Sequence, residues 1–394
     1  MRKKILMIAH FCDYGRENTN NRFNYIFNLL KNEKYDVNIL TSKFCHREKM
    51  YREDLKLQDF ILLDEPNYRK NISLKRFYSH YIFSKNIKKY LENLKKKPDV
   101  IYCAVPSLDA TFEAGKYAKK NNIKFIIDIQ DLWPEAFQMV FKVPIISDII
   151  FYPFKKKVDK IYSMADYIVA VSETYLERGK RKNNCDGVAI YLGTEKSLID
   201  SIEKMSLFKG KEEVWIAYVG TLGSSYDLNI IIEAISKLEF HLKEKIVFQV
   251  MGDGPLREKF EKFAEEKQIK IKFWGNLKYQ DMIGVLKNCD IAVNPIKKNS
   301  AGSIINKVGD YAGVGLPVIN TQENKEYRDL VEKYNIGFNS SSDNVDEVVK
   351  KMEKLINDKK MRKIMGKNNR RLFEEKFNRE ETYKTIKEVI KRYK

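Results

Sequence analysis

Short apolar runs alternate with longer amphipathic segments along nearly the whole chain, and the rhythm starts twice. In the first half the runs are KILMIAHF, DVNILTS, FILLDE, DVIYCAV, KFIIDIQ, YIVAVS and VAIYLG. In the second they are VWIAYVG, IVFQVMG, IKFWGN, IAVNPI and LPVINT. Runs this uniformly apolar read as strands covered on both faces, which means parallel sheets flanked by helices. Between them lie stretches of helical periodicity such as NRFNYIFNLLKNE, SLDATFEAGKYAKKNN, LNIIIEAISKL, PLREKFEKFAEEK, YQDMIGVLKNC and NVDEVVKKMEKLIND. Because 394 residues exceed what one core serves, the pattern predicts two successive doubly wound α/β units. The polar stretch 194–213 is the natural boundary between them. The final segment, NREETYKTIKEVIKRYK, reads as one amphipathic helix with Tyr383, Ile386, Val389 and Ile390 on its apolar side, able to pack back on the first domain.

Several function classes are disfavoured by what the chain lacks. The five cysteines are scattered, odd in number and never in a CxxC pair, which argues against a disulfide framework or a zinc site and fits a reducing compartment. No stretch approaches ~18 consecutive apolar residues, and the first residues do not form a signal peptide. The loop after the first strand holds one glycine, Gly15, so the dinucleotide fingerprint of a dehydrogenase is missing. A net charge of +19 implies an anionic partner: nucleic acid, lipid headgroups or a phosphorylated substrate, with a merely lysine-rich solvated surface as the bland alternative.

Doubly wound sheets bind ligands at the carboxyl ends of their strands, so the strand-end loops hold the candidates. His10 and Arg22 border the first loop. Asp128, Gln130 and Asp131 end the strand in FIIDIQDLWPEAF, where Asp131 either serves a cleft or caps the next helix, with Pro134 near its start. Gly220 and Gly223 stand between a strand and a helix, Gly252 and Gly254 flank Asp253 with Pro255 at a first helical position, and Gly275 and Asn276 form a tight turn. In NKVGDYAGVGLPVIN, Asn306, Lys307 and Asp310 fall at i, i+1 and i+4, near one face of a helix opening. Ser300, Gly302 and Ser303 would offer N–H groups at that helix's N-terminus, where an anion is favoured. A ribose diphosphate needs such parts: a carboxylate for its hydroxyls, a cation and donors for its phosphates. A salt-bridged helix start is the alternative.

The segments DIQDLWPEAF, ADYIVAVSE, YVGTLG, MGDGPLREKF, FWGNLKYQDM and NKVGDYAGVGLPVIN, in that order, resemble the GT-B glycosyltransferases. Specifically they resemble the retaining group called glycosyltransferase family 4, in its bacterial members that build capsule, exopolysaccharide or O-antigen repeats. The resemblance implies two Rossmann-like domains facing a cleft. Residues 1–193 plus 377–394 would bind the acceptor and 194–376 the donor, with the C-terminal helix crossing back to the first domain.

It further implies transfer of a sugar, hexosyl or N-acetylhexosaminyl in type, from a nucleotide-sugar donor (a UDP-sugar before a GDP-sugar) with retention of configuration. Asp131 and Lys307 would be catalytic. Gly220, Gly223, Gly252, Gly254, Gly275, Asn276, Gly302, Ser303, Ile304, Asn306 and Asp310 would line the donor site. His10, Gly15, Arg22, Asp128 and Gln130 would face the acceptor. No cofactor and no metal are implied. The family's paired glutamates fall on Gly302 and Asp310, so the first is missing; its usual Arg and Lys are missing around Thr221 and Ser225; and its His-Asp falls on Gln130-Asp131.

The acceptor implied is a glycan or a polyprenyl-diphosphate-linked acceptor. The basic, aromatic segments 68–97 and 149–162 would dock an anionic membrane, placing the protein in the cytoplasm at the inner face of the cell membrane. No nucleic-acid motif accompanies the charge. A sugar-nucleotide 2-epimerase and a non-catalytic partner subunit of a transferase share the architecture and stay open as alternatives.

Overall fold

The apolar runs pair as two all-parallel main sheets in the computed structural model, which describes residues 2–12, 21–52, 59–70, 73–135, 144–298, 300 and 303–393, apart from the side chains of 144–150. The chain divides into two compact units, Met1–Ile190 with Tyr383–Lys394, and Tyr191–Thr382. The division falls a few residues before the expected 193/194 boundary and a few after the expected 376/377 one.

In the first unit the strands are β1 (Lys4–Ile8), β2 (Asp36–Ser42), β3 (Phe44–Cys45), β4 (Met50–Tyr51), β5 (Phe60–Leu63), β6 (Val100–Val105), β7 (Lys124–Ile129), β8 (Tyr167–Ala170) and β9 (Gly187–Ala189). The sheet runs β5-β2-β1-β6-β7-β8-β9, while β3 and β4 form a separate small hairpin. From β1 the chain winds outward to β5, then returns to start β6 on the other side of β1. The loops after β1 and β6 therefore part, leaving a crevice at the strands' carboxyl ends. Helices cover the sheet because their apolar stripes match it. In helix Arg22–Asn32, for example, Asn21 caps the start by accepting from the Phe23 and Asn24 amides, and Ile26 and Leu30 are buried.

The second unit repeats the plan with β10 (Val214–Val219), β11 (Ile246–Met251), β12 (Ile271–Gly275), β13 (Ile291–Asn294), β14 (Val318–Asn320) and β15 (Gly337–Asn339), in the order β12-β11-β10-β13-β14-β15. Its switch point lies between β10 and β13, which pair only at Ile216–Ile291 and Ala217–Ala292. Tyr311, fully buried on helix Lys307–Val314, bridges the gap where they part. Its hydroxyl accepts from the Val219 amide at 2.9 Å and donates to the Val293 carbonyl at 3.2 Å. Tyr311→Phe strands that amide without a partner and should cost about 1–3 kcal/mol in urea unfolding. A loss under a few tenths would show that the bridge does not hold the switch point.

The last segment is not one helix. It forms Arg379–Thr382 and Lys384–Arg392, interrupted at Tyr383, where the chain passes from the second unit into the first. Tyr383, Ile386, Val389 and Ile390 are all buried in the first unit's core with Ile26 and Leu30. Segment 68–97 is dominated by a 19-residue helix, Leu74–Glu92, capped by Ser73. Among the described residues no two cysteines form a disulfide. Among the described residues no helix is long and apolar enough to cross a membrane.

Candidate functional site

The glycine motifs of the second unit are three neighbouring strand-end loops laced together by their backbones. Gly220 N–H donates to Met251 O, Leu222 N–H to Asp253 O, and Gly252 N–H to Gly275 O, each at 2.8–2.9 Å. Gly252 has φ +143°, and a Cβ there would lie 1.9 Å from Gly220 O; one at Gly254 would lie 2.6 Å from Leu222 O. Their missing side chains thus serve loop–loop contact. Pro255 sits in the turn two residues before helix Arg257–Glu266, not at its first position. A Cβ at Gly223 would meet only Thr221 Cγ2, at an ordinary 3.7 Å, and Asn276 is exposed.

Gly220 borders something else. It has φ +136°, and a Cβ on it would come within 2.9 Å of Lys307 Nζ. Lys307 is 6% exposed, and its ammonium finds no hydrogen-bond partner among the described residues. It lies 3.9 Å from the Tyr218 ring centroid and 4.0 Å from that of Tyr226. Two aromatic faces return part of the lost hydration of a cation, but not all of it. Burial accordingly pushes the Lys307 pKa well below the ordinary lysine range. Asp310, one turn on, is half-buried and accepts from Tyr279 Oη at 2.8 Å. Burial pushes its carboxyl up to about 6, against the hydrogen bond from Tyr279 and the charge of Arg379. The two charged groups on this helix therefore turn to different partners and make no salt bridge, which removes the salt-bridged helix start as an explanation.

Other expected donor residues are placed differently. The helix begins at Lys307, so Ser300 and Ser303 precede it by several residues; the Ser300 amide donates to Lys297 O, and Ser303 O accepts from Gln322 Nε2. Ile304 is buried in the apolar core, and Asn306 stands exposed at the N-cap position without a side-chain capping bond. Gly313 packs against Ile199 and Phe373, and Gly315 ends the helix at φ +78°. Gly302 and Gly15 lie outside the described residues.

In the first unit, Arg22 and Asp128 are 3% and 0% exposed and form a buried ion pair, Nε to Oδ2 at 2.8 Å. Neither is open to an acceptor: Arg22 Nη1 continues to Ile190 O and Tyr383 Oη, and Tyr102 and Gln130 donate to Asp128. His10 is 1% exposed, held by Ser107 and Glu65, so its side chain is not a surface contact either. Asp131 stays half-exposed at the end of β7. Its carboxylate accepts from the Leu132 amide, Trp133 Nε1 and Tyr175 Oη, so it orders its own loop, and burial raises its pKa. Sequence reading missed His46, Glu65 and His80 beside His10; the available signal was that three of the four histidines fall within the first eighty residues.

Two doubly wound parallel sheets in succession, each with its polar side chains gathered at the strand-order reversal, are the fold class of the GT-B glycosyltransferases. Residues 200–372 match the model of the family described as glycosyl transferases group 1. The uncharacterized glycosyltransferase MJ1069 of Methanocaldococcus jannaschii is 28% identical over 249 residues, 61% of this chain, and the chain spans 62% of that relative's length. Sucrose-phosphate synthase from Thermosynechococcus elongatus superposes with a TM-score of 0.74 at 15% identity, covering 99% of both chains. Anabaena Alr3699/HepE, solved in complex with UDP, gives 0.67 at 12% identity, also over 99% of both.

Proposed function

We propose that this chain is a retaining glycosyltransferase. It moves a hexosyl or N-acetylhexosaminyl group from a nucleoside-diphosphate donor, a UDP-sugar first, to a glycan on a polyprenyl diphosphate in bacterial surface-polysaccharide synthesis. The observation that carries the reading is Lys307 Nζ, buried at the switch point without a polar partner and bordered by a glycine. An unpaired ammonium in that position is costly until an anion arrives, and a diphosphate is the anion that the fold class and the UDP complex of HepE favour. In this reading Lys307 takes the charge that develops on the leaving diphosphate, a role that asks for no metal. Asp310 holds the ribose hydroxyls, and Asp131 serves the acceptor. The bond from the sugar's anomeric carbon to the diphosphate breaks, and one to the acceptor oxygen forms on the same face. The acceptor proton leaves on the diphosphate.

Acceptor docking is assigned to the helices of segments 68–97 and 149–162. Leu74, Tyr78, Tyr81 and Tyr152 are exposed there, among exposed Lys75, Lys85, Lys88 and Lys156. Apolar and cationic side chains on one surface suit an anionic bilayer, and Phe77 and Phe154, 6.2 Å apart, bring the two helices together. The test is labelled UDP-sugar with a polyprenyl-diphosphate glycan in anionic vesicles. Label should pass to the lipid phase, and the protein should float with the vesicles. An altered sugar nucleotide formed without acceptor would instead establish an epimerase.

Asp310 gives the reading a pH signature. Its carboxyl, raised to about 6, must be ionised to accept from ribose hydroxyls, so UDP affinity should fall as pH drops from 7 to 5. Asp310→Asn should flatten that limb and weaken UDP binding about 10-fold, a lost hydrogen bond to a charged group, as read by calorimetry. An unchanged acid limb would remove Asp310 from the donor site.

A further inference from the structure

Three of the four histidines meet in the first unit, from separate segments: His10 just after β1, His46 in the turn between β3 and β4, and His80 on helix Leu74–Glu92. One ligand-capable atom from each lies within 4.8 Å of the others. Glu65, 3% exposed, enters from the segment after β5, with Oε1 2.8 Å from His10 Nε2 and 2.9 Å from His46 Nε2.

The outer atoms of these groups are already held. His10 Nδ1 is 2.8 Å from Ser107 Oγ, His46 Nδ1 is 2.7 Å from Tyr68 Oη, and Ser79 Oγ donates to Glu65 Oε2 at 2.6 Å. Imidazoles and carboxylates that ligate metals have their far atoms fixed in this way. A metal-free network of hydrogen bonds is the competing account, and His46 discriminates. Its Nε2 is shut off from solvent and has no hydrogen-bond partner, although Glu65 Oε1 is 2.9 Å away. The separation suits a hydrogen bond but the alignment does not. Glu65 Oε1 already accepts from His10 Nε2, so among the described residues it is the buried His46 ring nitrogen beside it that lacks an aligned partner, and a cation between them would satisfy it.

We infer that His10, His46, His80 and Glu65 form a site for a divalent zinc-class cation that clips together the segments following β1, β3 and β5 and helix Leu74–Glu92. Three imidazole nitrogens and one carboxylate oxygen make a closed tetrahedral set for Zn²⁺, with bonds of about 2.0–2.2 Å and neighbouring ligand atoms about 3.3 Å apart. Binding opens the Glu65 contacts slightly and draws the histidines inward. Arg76 opposes it: its Nε donates to His80 Nε2 over a long 3.4 Å, while its guanidinium lies 4.9 Å from the Trp133 ring centroid. The cation must displace that contact or take the other ring nitrogen. This site belongs to the first unit and takes no part in the proposed transfer step, so chelation should leave UDP binding by the second unit intact.

The test is equilibrium dialysis of the chelator-stripped full chain against Zn²⁺ and Co²⁺. One equivalent should be retained, and the Co²⁺ form should show four-coordinate visible absorption without a thiolate charge-transfer band. His46→Ala and Glu65→Gln should each weaken retention at least about 10-fold, and Zn²⁺ should raise the melting temperature of the unsubstituted chain but not of these two variants. His241→Ala, at an exposed position, should change nothing. Should His46→Ala not fold, Tyr68→Phe removes only the hydroxyl that orients His46 and should weaken Zn²⁺ about 10-fold. No stoichiometric retention, a thiolate band, or retention indifferent to these substitutions would overturn the site and leave a hydrogen-bonded cluster.

Discussion

Lys307→Met should make the ligand-free protein more stable and, in the same molecule, weaken UDP binding about 10–100-fold. The first effect follows from the unpaired ammonium. In the unfolded chain Lys307 titrates near 10.5; in the folded chain burial depresses that value well below it. A depressed lysine subtracts stability at every pH below 10.5; the cost grows as pH falls until the folded group itself protonates and stays constant below that, and it vanishes above 10.5. Methionine keeps most of the volume between Tyr218 and Tyr226 and carries no charge, so at pH 7 it should raise the melting temperature of the ligand-free protein. The second effect is the loss of a charge-assisted contact to phosphate, about 1.5–3 kcal/mol. Binding must also return a proton to Lys307, so UDP affinity should fall as pH rises from 7 to 10 in the parent chain and stay level in the variant. Thermal denaturation with and without UDP reads both effects. A destabilised variant that still binds UDP would show Lys307 to be a packing residue.

Much of the fold was legible because burial on both strand faces leaves uninterrupted apolar runs, such as Val100–Val105 and Val214–Val219, which no turn chemistry imitates. β15 escaped notice: Gly-Phe-Asn is too short to show a period, and only its place beside β14 makes it a strand. The break at Tyr383 was hidden because the apolar spacing carries on across it, while the chain there changes units. At the donor site, helical spacing put Lys307 and Asp310 near one face but could not say that they turn apart, to Tyr218 and Tyr226 on one side and Tyr279 on the other. Those partners come from β10, the turn after it and the start of helix Tyr279–Leu286, which sheet order brings together. The first unit was less legible for the same reason. His10, His46, Glu65 and His80 share no local pattern, and Arg22 and Asp128, which read as strand-end polar residues, meet only because helix Arg22–Asn32 and β7 pack in one core.

That ion pair supports the largest expected loss of stability, with Arg22→Ala costing about 3–5 kcal/mol in urea unfolding. Burial alone would lower the Arg22 pKa, but Asp128, Tyr383 and Tyr102 outweigh it and raise it, so the guanidinium stays charged wherever the fold survives. Alanine leaves the Asp128 carboxyl at 0% exposure without its cation, with only Tyr102 and Gln130 as neutral donors. It also takes from Tyr383 the guanidinium whose carbon lies 4.8 Å from the ring centroid, and so loosens the point where the C-terminal segment enters the first unit. Hydrogen exchange over Lys384–Arg392 should therefore accelerate beyond what the global loss alone produces. The double variant Arg22→Met, Asp128→Asn removes both charges and should recover at least about half of the loss, since most of it is the cost of stranding a carboxylate. If the double variant is as unstable as the single one, it is the lost shape and packing of Arg22, and not the unpaired charge, that matters at this junction.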